Sequence, residues 1–389
     1  VVKLSVTRFA KKELLAMGAG SATRVSMGPI QGMINLGAGD PDFNQPEFID
    51  KAVYDAMKAG HTHYEFAGVP EFKQAIADYY AKYGVKIDPN TQICIESGGS
   101  QAIFHSFGAI LNPGDEILIM DPAYQGYTQP AAYFGAKIVK APMTKDKSGL
   151  FRPNMENVRK AVTPKTKALL ICNPDNPCGI VYTDKELRQL AELAVEKDFV
   201  VLSDEIYTEF VWKNRFIPII KYPGMEERTM ALMSFSKTFA WTGCRAGYII
   251  AGPELSKIVN AVPIGIIGMP VPFQFAAAKA LRDGWDFVDS MRKEYKRRIE
   301  WMVPRLNEID GIRCPYPEGA FYLFPDISAF KVPAAKFCAD FFQQEKVRSA
   351  AGTQYGPTGE GHFRLALVAS MKDLEDVCNR LERFVKKLK

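Results

Sequence analysis

The stretch "SFSKTFAWTGCR", residues 234–245, places one lysine, Lys237, behind two serines at the end of an apolar run. A lysine held where water is scarce keeps its neutral amine more readily than one on a charged face, and an amine adds to an aldehyde to give a Schiff base. Ser234 and Arg245 flank it, a hydroxyl and a fixed cation that suit a phosphate. "VVLSDEIY" puts Asp204 at the end of another apolar run, where an unpaired carboxylate is costly and needs a partner. That partner is either a structural cation or helix cap, or the protonated ring nitrogen of a pyridine cofactor that serves as an electron sink. Tyr207, three residues on, could reach the same ligand. "SGGSQAIF" opens a helix on Gly98, Gly99 and Ser100, so free N–H groups and the positive end of the helix dipole face whatever lies there. A phosphate would be well received, and Ser100 could equally do no more than cap its own helix. Together at one place, these groups favour a phosphate-bearing aldehyde cofactor.

Positioning them requires strands. Short apolar runs recur as "ICIES" from Ile93, "EILIMD" from Glu116, "ALLICNP" from Ala168, "FVVLSDE" from Phe199, "ALMSFS" from Ala231 and "AGYIIAG" from Ala246. Continuous rather than alternating hydrophobicity predicts strands buried on both faces, as in a parallel sheet. Helix-length segments such as "SQAIFHSFGAIL" and "DKELRQLAELAVEK" separate several of them, which is an α/β pattern. Ligands of open parallel sheets lie beyond the carboxyl ends of the strands. Here those ends read Ser97–Ser100, Asp121-Pro122, Asn173-Pro174, Asp204-Glu205 and Ser234–Lys237, so the reactive groups converge on one rim. A long charged helix from about Asp286 to Ile309 then leads into "CPYPEGAFYLFPDI", a further helix and "HFRLALV", a smaller α+β part.

Composition excludes several classes. A chain of 389 residues, 47% of them hydrophobic, buries a large core and is neither disordered nor fibrous. The net charge of +5 is modest, and no long block of one sign forms a nucleic-acid arm. The densest basic cluster, Arg292, Lys293, Lys296, Arg297 and Arg298, is interleaved with Met291, Tyr295, Ile299 and Met302 at helical spacing and reads as a solvated helix face. The seven cysteines are scattered without a CxxC pair, which fits a reducing compartment. His61 and His63 read as a surface pair rather than a metal site. No phosphate-loop or dinucleotide fingerprint is present, and "GAG" at Gly37 to Gly39, followed by Asp40-Pro41, reads as a turn. No apolar stretch reaches the span of a bilayer and no leader pattern opens the sequence, so a soluble, cytoplasmic protein is expected.

Motifs in a fixed order carry a resemblance: "NLGAGDPDF", "HYEFAGVPEF", "GGSQAIF", "NPDNPCG", "SDEIY", "SFSKTFAWTGCRAGY", "PEGAFYLF" and "HFRLALVAS". Over nearly its whole length the chain resembles the class I/II aminotransferases among the fold-type I pyridoxal phosphate enzymes, especially their aspartate/aromatic branch. The resemblance implies an α/β fold with a large domain, residues 48–286, built on a mainly parallel seven-stranded sheet covered by helices. A smaller α+β domain would combine residues 1–47 with 287–389. It further implies that Lys237 forms a Schiff base with pyridoxal 5'-phosphate and later moves the substrate's α-proton. Asp204 would hold the pyridine nitrogen protonated, Tyr207 and Asn176 would bond the phenolic oxygen, and Tyr124 would stack on the ring. Gly99, Ser100, Ser234 and Arg245 would cradle the phosphate, with Tyr64 arriving from the partner subunit of a homodimer. Arg364 would grip the substrate α-carboxylate, helped by Asn176 and the backbone around Gly39; by its own residues alone, Arg364 reads as well as a structural ion pair.

The implied activity is transfer of an amino group from an L-amino acid to a 2-oxo acid by a ping-pong mechanism. A lyase, cyclase or oxidase using the same cofactor competes with it, and so, more remotely, does a cofactor-sensing regulator. Ser100 stands where many aspartate-specific members carry lysine, Tyr124 where they carry tryptophan, and Cys178 where threonine is usual. "VPIGIIGMPVPFQ" is also more apolar than the family's segment there. These departures argue against aspartate specificity.

Overall fold

The computed structural model of the chain describes residues 30–263 and 268–388. Residues 1–29 and the middle of "VPIGIIGMPVPFQ", on which parts of the sequence reading fall, lie outside the described residues. Seven strands share one sheet: β1 (Ile93–Glu96), β2 (Glu116–Asp121), β3 (Lys137–Pro142), β4 (Thr166–Cys172), β5 (Val200–Asp204), β6 (Thr229–Ser234) and β7 (Gly247–Ala251), in the order β1-β7-β6-β5-β4-β2-β3. All neighbours run parallel except β7, which is antiparallel to both β1 and β6. Parallel strands need a crossover of a dozen residues or more that usually contains a helix, and the stretch from Ser234 to Gly247 holds only the short turn of helix at Phe235–Thr238. The chain therefore doubles back.

Two-sided burial explains the continuous apolar runs. Leu118, Met120, Leu169, Ile171 and Val201 face a core shared with Leu187, Leu190 and Leu193. The alternate residues Ile117, Ile119, Leu170 and Leu202 face a second core with Ala102 and Phe107. The helix supplying the leucines, Asp184–Glu196, starts at a capping box in which Thr183 and Glu186 satisfy each other's backbone N–H groups. The strand missing from the sequence reading is β3. It is the sheet edge, with Lys137, Lys140 and Pro142 exposed, so its run is broken by the charges and proline that keep edges from pairing further.

The long helix spans Trp285–Asn307 and leads to a three-stranded antiparallel sheet in which Phe363–Ala366 lies between Tyr322–Leu323 and Ala350–Ala351. Helices Ala334–Glu345 and Met371–Lys386 bury Phe337, Phe341, Leu381 and Phe384 in the same core. Near the other end of the sequence, Ile34–Asn35 pairs in parallel with Val347–Arg348. His61 and His63 are exposed, and His61 lies against Phe275 with ring centroids 4.2 Å apart. No described helix is long and apolar enough to cross a membrane.

One expectation is corrected here. In the basic cluster Lys293, Lys296 and Arg297 are exposed, but Arg298 is 4% exposed and belongs to the buried face. Its guanidinium binds both carboxylate oxygens of Asp42, at 2.7 and 2.9 Å, and donates to Glu294 at 2.9 Å and the Leu367 carbonyl at 2.7 Å. The reason is register: Arg298 follows Tyr295 by three residues and precedes Met302 by four, so it shares their stripe. This arginine fastens the segment around Asp42 to the long helix. Replacing Arg298 by Ala leaves Asp42 without its cation and should cost about 3 kcal/mol, read as a lower urea midpoint with an unchanged slope.

Candidate active site

Because β7 alone is reversed, its amino end meets the carboxyl ends of β1 and β6: Gly247 stands opposite both Glu96 and Ser234. Arg245, two residues earlier, is thereby delivered to the same rim as Asp204 and Lys237. A cavity of about 390 Å³ opens there, lined by Gly39, Gly99, Ser100, Tyr124, Asn176, Asp204, Tyr207, Ser234, Lys237, Arg245 and Arg364. The cavity thus gathers every residue to which the resemblance gave a site role, with one exception. Tyr64 is 74% exposed, is stacked on Phe66 and does not line its own chain's cavity.

Asp204 ends β5 beside Cys172 of β4. Its Oδ2 accepts the Tyr127 hydroxyl at 2.7 Å and its Oδ1 a long bond from the Ile206 N–H at 3.4 Å. It forms no ion pair with any described residue, so a structural salt bridge is not what it serves. Burial pushes its carboxyl up from 3.8 to about 6, against the pull of Tyr127, Ile206 and Lys237.

Lys237 sits in the short helix Phe235–Thr238, which Ser234 caps by accepting the Ser236 N–H at 3.1 Å. Its Nζ donates to the Gly39 carbonyl at 2.5 Å. Burial lowers the ammonium to about 8, helped by Arg364 and Arg245 and opposed by Asp40 and Asp204. The amine form is therefore accessible close to neutral pH. The glycine opposite is required by space: a Cβ on Gly39 would lie 2.0 Å from the Tyr322 hydroxyl.

On the next side of the cavity, the helix Gly99–Ile110 starts from Gly98, at φ +80°, with no side-chain cap. Ser100 lies inside the first turn, so the reading in which it merely caps its helix does not hold. Arg245 has a left-handed backbone, φ +54°, and donates to the Thr242 and Ser97 carbonyls at 2.8 and 3.3 Å without any carboxylate partner among the described residues. A Cβ on Gly98 would come within 2.8 Å of its guanidinium. A helix start, a cation and the Ser234 hydroxyl thus form a cradle of the right chemistry for a phosphate.

Arg364 lies on the middle strand of the three-stranded sheet and is 4% exposed. It donates to Asn176 Oδ1 at 3.2 Å and to the Gly37 carbonyl at 2.6 Å, while its plane lies 4.5 Å from the Tyr322 ring and 5.3 Å from that of Tyr355. No described carboxylate pairs with it and its Nε is buried without a partner, so the ion-pair reading fails for this residue too. Two contributors went unassigned in the sequence. Tyr127 lies three residues beyond Tyr124 in "DPAYQGY", and Tyr322, in "PEGAFYLF", is 2.7 Å from Tyr207 hydroxyl to hydroxyl. Both motifs were visible, but only the fold shows where their second tyrosines point.

The model of the family "Aminotransferase class I and II" matches residues 31–381. The chain is 39% identical to an aromatic-amino-acid aminotransferase of Thermococcus litoralis, over 92% of this chain and 93% of that one. It is 38% identical to an aspartate aminotransferase of Pyrococcus abyssi, over 92% of each. Among solved structures, an aromatic aminotransferase of Pyrococcus horikoshii superposes with a TM-score of 0.88 at 36% identity, covering 93% of this chain and 98% of that one. The chain belongs to the class I and II aminotransferases. It is accordingly a fold-type I enzyme that moves an amino group from an amino acid to a 2-oxo acid in ping-pong fashion, with pyridoxal phosphate as cofactor. Amino-group transfer thus prevails over the lyase, cyclase or oxidase alternative and over the regulator.

The Asp204 carboxyl titrates higher folded than unfolded, so its ionised form weakens the fold above about pH 6, and the penalty is relieved as pH falls towards 3.8. After cofactor removal, the Asp204→Asn protein should be more stable than the parent by about 3 kcal/mol at pH 8. That advantage should fade between pH 6 and pH 4 in denaturant titrations at each pH.

Proposed function

We propose that the cavity at the strand ends is the active site and that its residues act as follows. The observation that carries this is a set of charged groups, Asp204, Lys237 and Arg364, desolvated at one cavity and without an ion-pair partner among the described residues. Such an arrangement is costly unless a ligand supplies the missing charges. Pyridoxal phosphate, when bound, supplies an electron sink that lets a proton leave the substrate's α-carbon.

Asp204 would hold its ring nitrogen, whose positive charge favours the ionised carboxylate that burial otherwise opposes. Gly99, Ser100, Ser234 and Arg245 would hold its phosphate, Tyr207 and Asn176 its phenolic oxygen, and Tyr124 its ring face. Lys237 would hold its aldehyde carbon. The same Nζ, being easily deprotonated, can accept the α-proton and return it. Arg364 presents the fork of its guanidinium to the substrate carboxylate, with Asn176 and the backbone at Gly37 to Gly39 keeping it oriented.

Lys237, Arg245 and Arg364 are the cations lining the cavity among the described residues, and each has a role in this reading. Among this subunit's described residues none is left over for a second carboxylate, which favours an amino donor with an uncharged side chain. The division into a larger domain, 48–286, and a smaller one made of 1–47 with 287–389 belongs to the same proposal, supported by the pairing of Ile34–Asn35 with Val347–Arg348. So does a cytoplasmic homodimer, in which Tyr64 of the partner subunit completes the phosphate site. Its support is the exposure of Tyr64 and Phe66, 74% and 77%, side by side on the surface.

Adding single amino acids and then 2-oxo acids to the holoenzyme tests the reading. Uncharged donors should bleach the visible cofactor band faster than aspartate or glutamate, and an oxo acid should restore it. Lys237→Ala should bind cofactor yet lose steady-state turnover by at least about 10⁴-fold; a variant that still turned over would refute the assignment. Arg364→Lys keeps the charge but not the fork, and should lower kcat/KM by about 10²-fold.

A further inference from the structure

Tyr322 is buried at 1% exposure, and among the described residues its hydroxyl has one hydrogen-bond partner, the hydroxyl of Tyr207 at 2.7 Å. Its ring faces the Arg364 guanidinium at 4.5 Å. It therefore touches two residues on opposite sides of the chemistry, and its backbone holds it firmly. Tyr322 pairs with Ala366 in the three-stranded sheet, the Ala320 N–H donates to the Phe210 carbonyl at 2.8 Å, and the Trp212 indole donates to the Ala320 carbonyl at 2.6 Å.

The proton count and the role proposed for Tyr207 together set the direction of the tyrosine pair. Burial pushes Tyr322 up to about 12, with Arg364 and Tyr207 pulling down and Cys172 and Tyr124 pushing up. Tyr207, beside Tyr322, Cys172 and Asp204, is raised well above its usual value. Both hydroxyls are thus protonated at working pH, and two protons serve one internal bond, leaving one to spare. At 2.7 Å either hydroxyl can be the donor, but the role proposed for Tyr207 gives its one proton to the phenolic oxygen, so in the holoenzyme the internal bond must be donated by Tyr322. The spare proton is then that of Tyr207.

Building on the role proposed above for Tyr207, we infer that Tyr322 is a positioning residue: its hydroxyl donates to Tyr207 and so commits the Tyr207 proton to the cofactor's phenolic oxygen, while its ring supports the carboxylate grip of Arg364. A donor that is itself a hydrogen-bond acceptor is polarised and donates more strongly. One side chain thereby tunes the cofactor's acidity through its oxygen and substrate binding through its ring, and the two effects are separable.

The test uses holoenzyme and reads the pH midpoint of the visible absorption change, with KM for the best donor measured alongside. Tyr322→Phe should raise the midpoint by roughly half to one pH unit while changing KM by less than about twofold. Tyr322→Leu, which loses the ring as well, should shift the midpoint similarly and raise KM by about tenfold. In a Tyr207→Phe background, adding Tyr322→Phe should move the midpoint no further. A shift in Tyr207→Phe with none in Tyr322→Phe overturns the inference and leaves the Tyr207 role standing. No shift in either variant removes both, and an equal shift from Tyr322→Phe with and without Tyr207 shows that Tyr322 does not act through it.

Discussion

Asp204 ends a buried strand in the company of one phenol and one backbone N–H, and no cation of the described residues lies within ion-pairing distance. A folded chain tolerates such a carboxylate only at a cost, because the surroundings that exclude water also remove the hydration that would stabilise its charge. Much of the site follows from that single deprivation. The same dry rim holds Lys237 partly as amine, and leaves Arg364 with neutral acceptors where a carboxylate would be expected. In the reading proposed above, ligands restore what the fold withholds: the cofactor a ring cation for Asp204 and a phosphate for Arg245, and the substrate a carboxylate for Arg364. The protein's binding energy and its internal discomfort have a common origin.

Most of this was legible because polar residues at the ends of apolar runs are conspicuous. Lys237, Asp204, Ser234 and the two glycines before Ser100 stand out for their type and place, and the strands that carry them are two-sided and therefore continuous in hydrophobicity. Three features were harder. The edge strand β3 breaks the apolar pattern because one side of it meets solvent. The reversal of β7 lies in the shortness of a connection, which no residue type announces. The burial of Arg298 was hidden by its four basic neighbours, although its spacing from Tyr295 and Met302 places it on the inner stripe.

Tyr127 and Tyr322 illustrate a different limit. Each was written inside a recognisable motif, yet a tyrosine in an apolar segment reads as core, and both are indeed buried. What makes them participants is the atom at the end of the ring: one hydroxyl on Asp204, the other on Tyr207. Such second contacts depend on the meeting of segments 77 and 115 residues apart, and pattern alone does not supply them.

The reversal of β7 also bears on the order in which the site can come into being during synthesis. The phosphate cradle draws on residues from Gly98 to Arg245, and the sheet that holds it is finished with Ala251. β7 folds back onto β6 across a short loop, while its pairing with β1 brings Arg245 to the Ser97 carbonyl across 148 residues. The carboxylate grip proposed for Arg364 closes later still: Arg364 reaches Asn176 across 188 residues and Gly37 across 327. In the reading proposed above, this subunit's cofactor-holding residues of the large sheet are therefore all translated by Ala251, while Arg364, proposed to hold the substrate, is still to come.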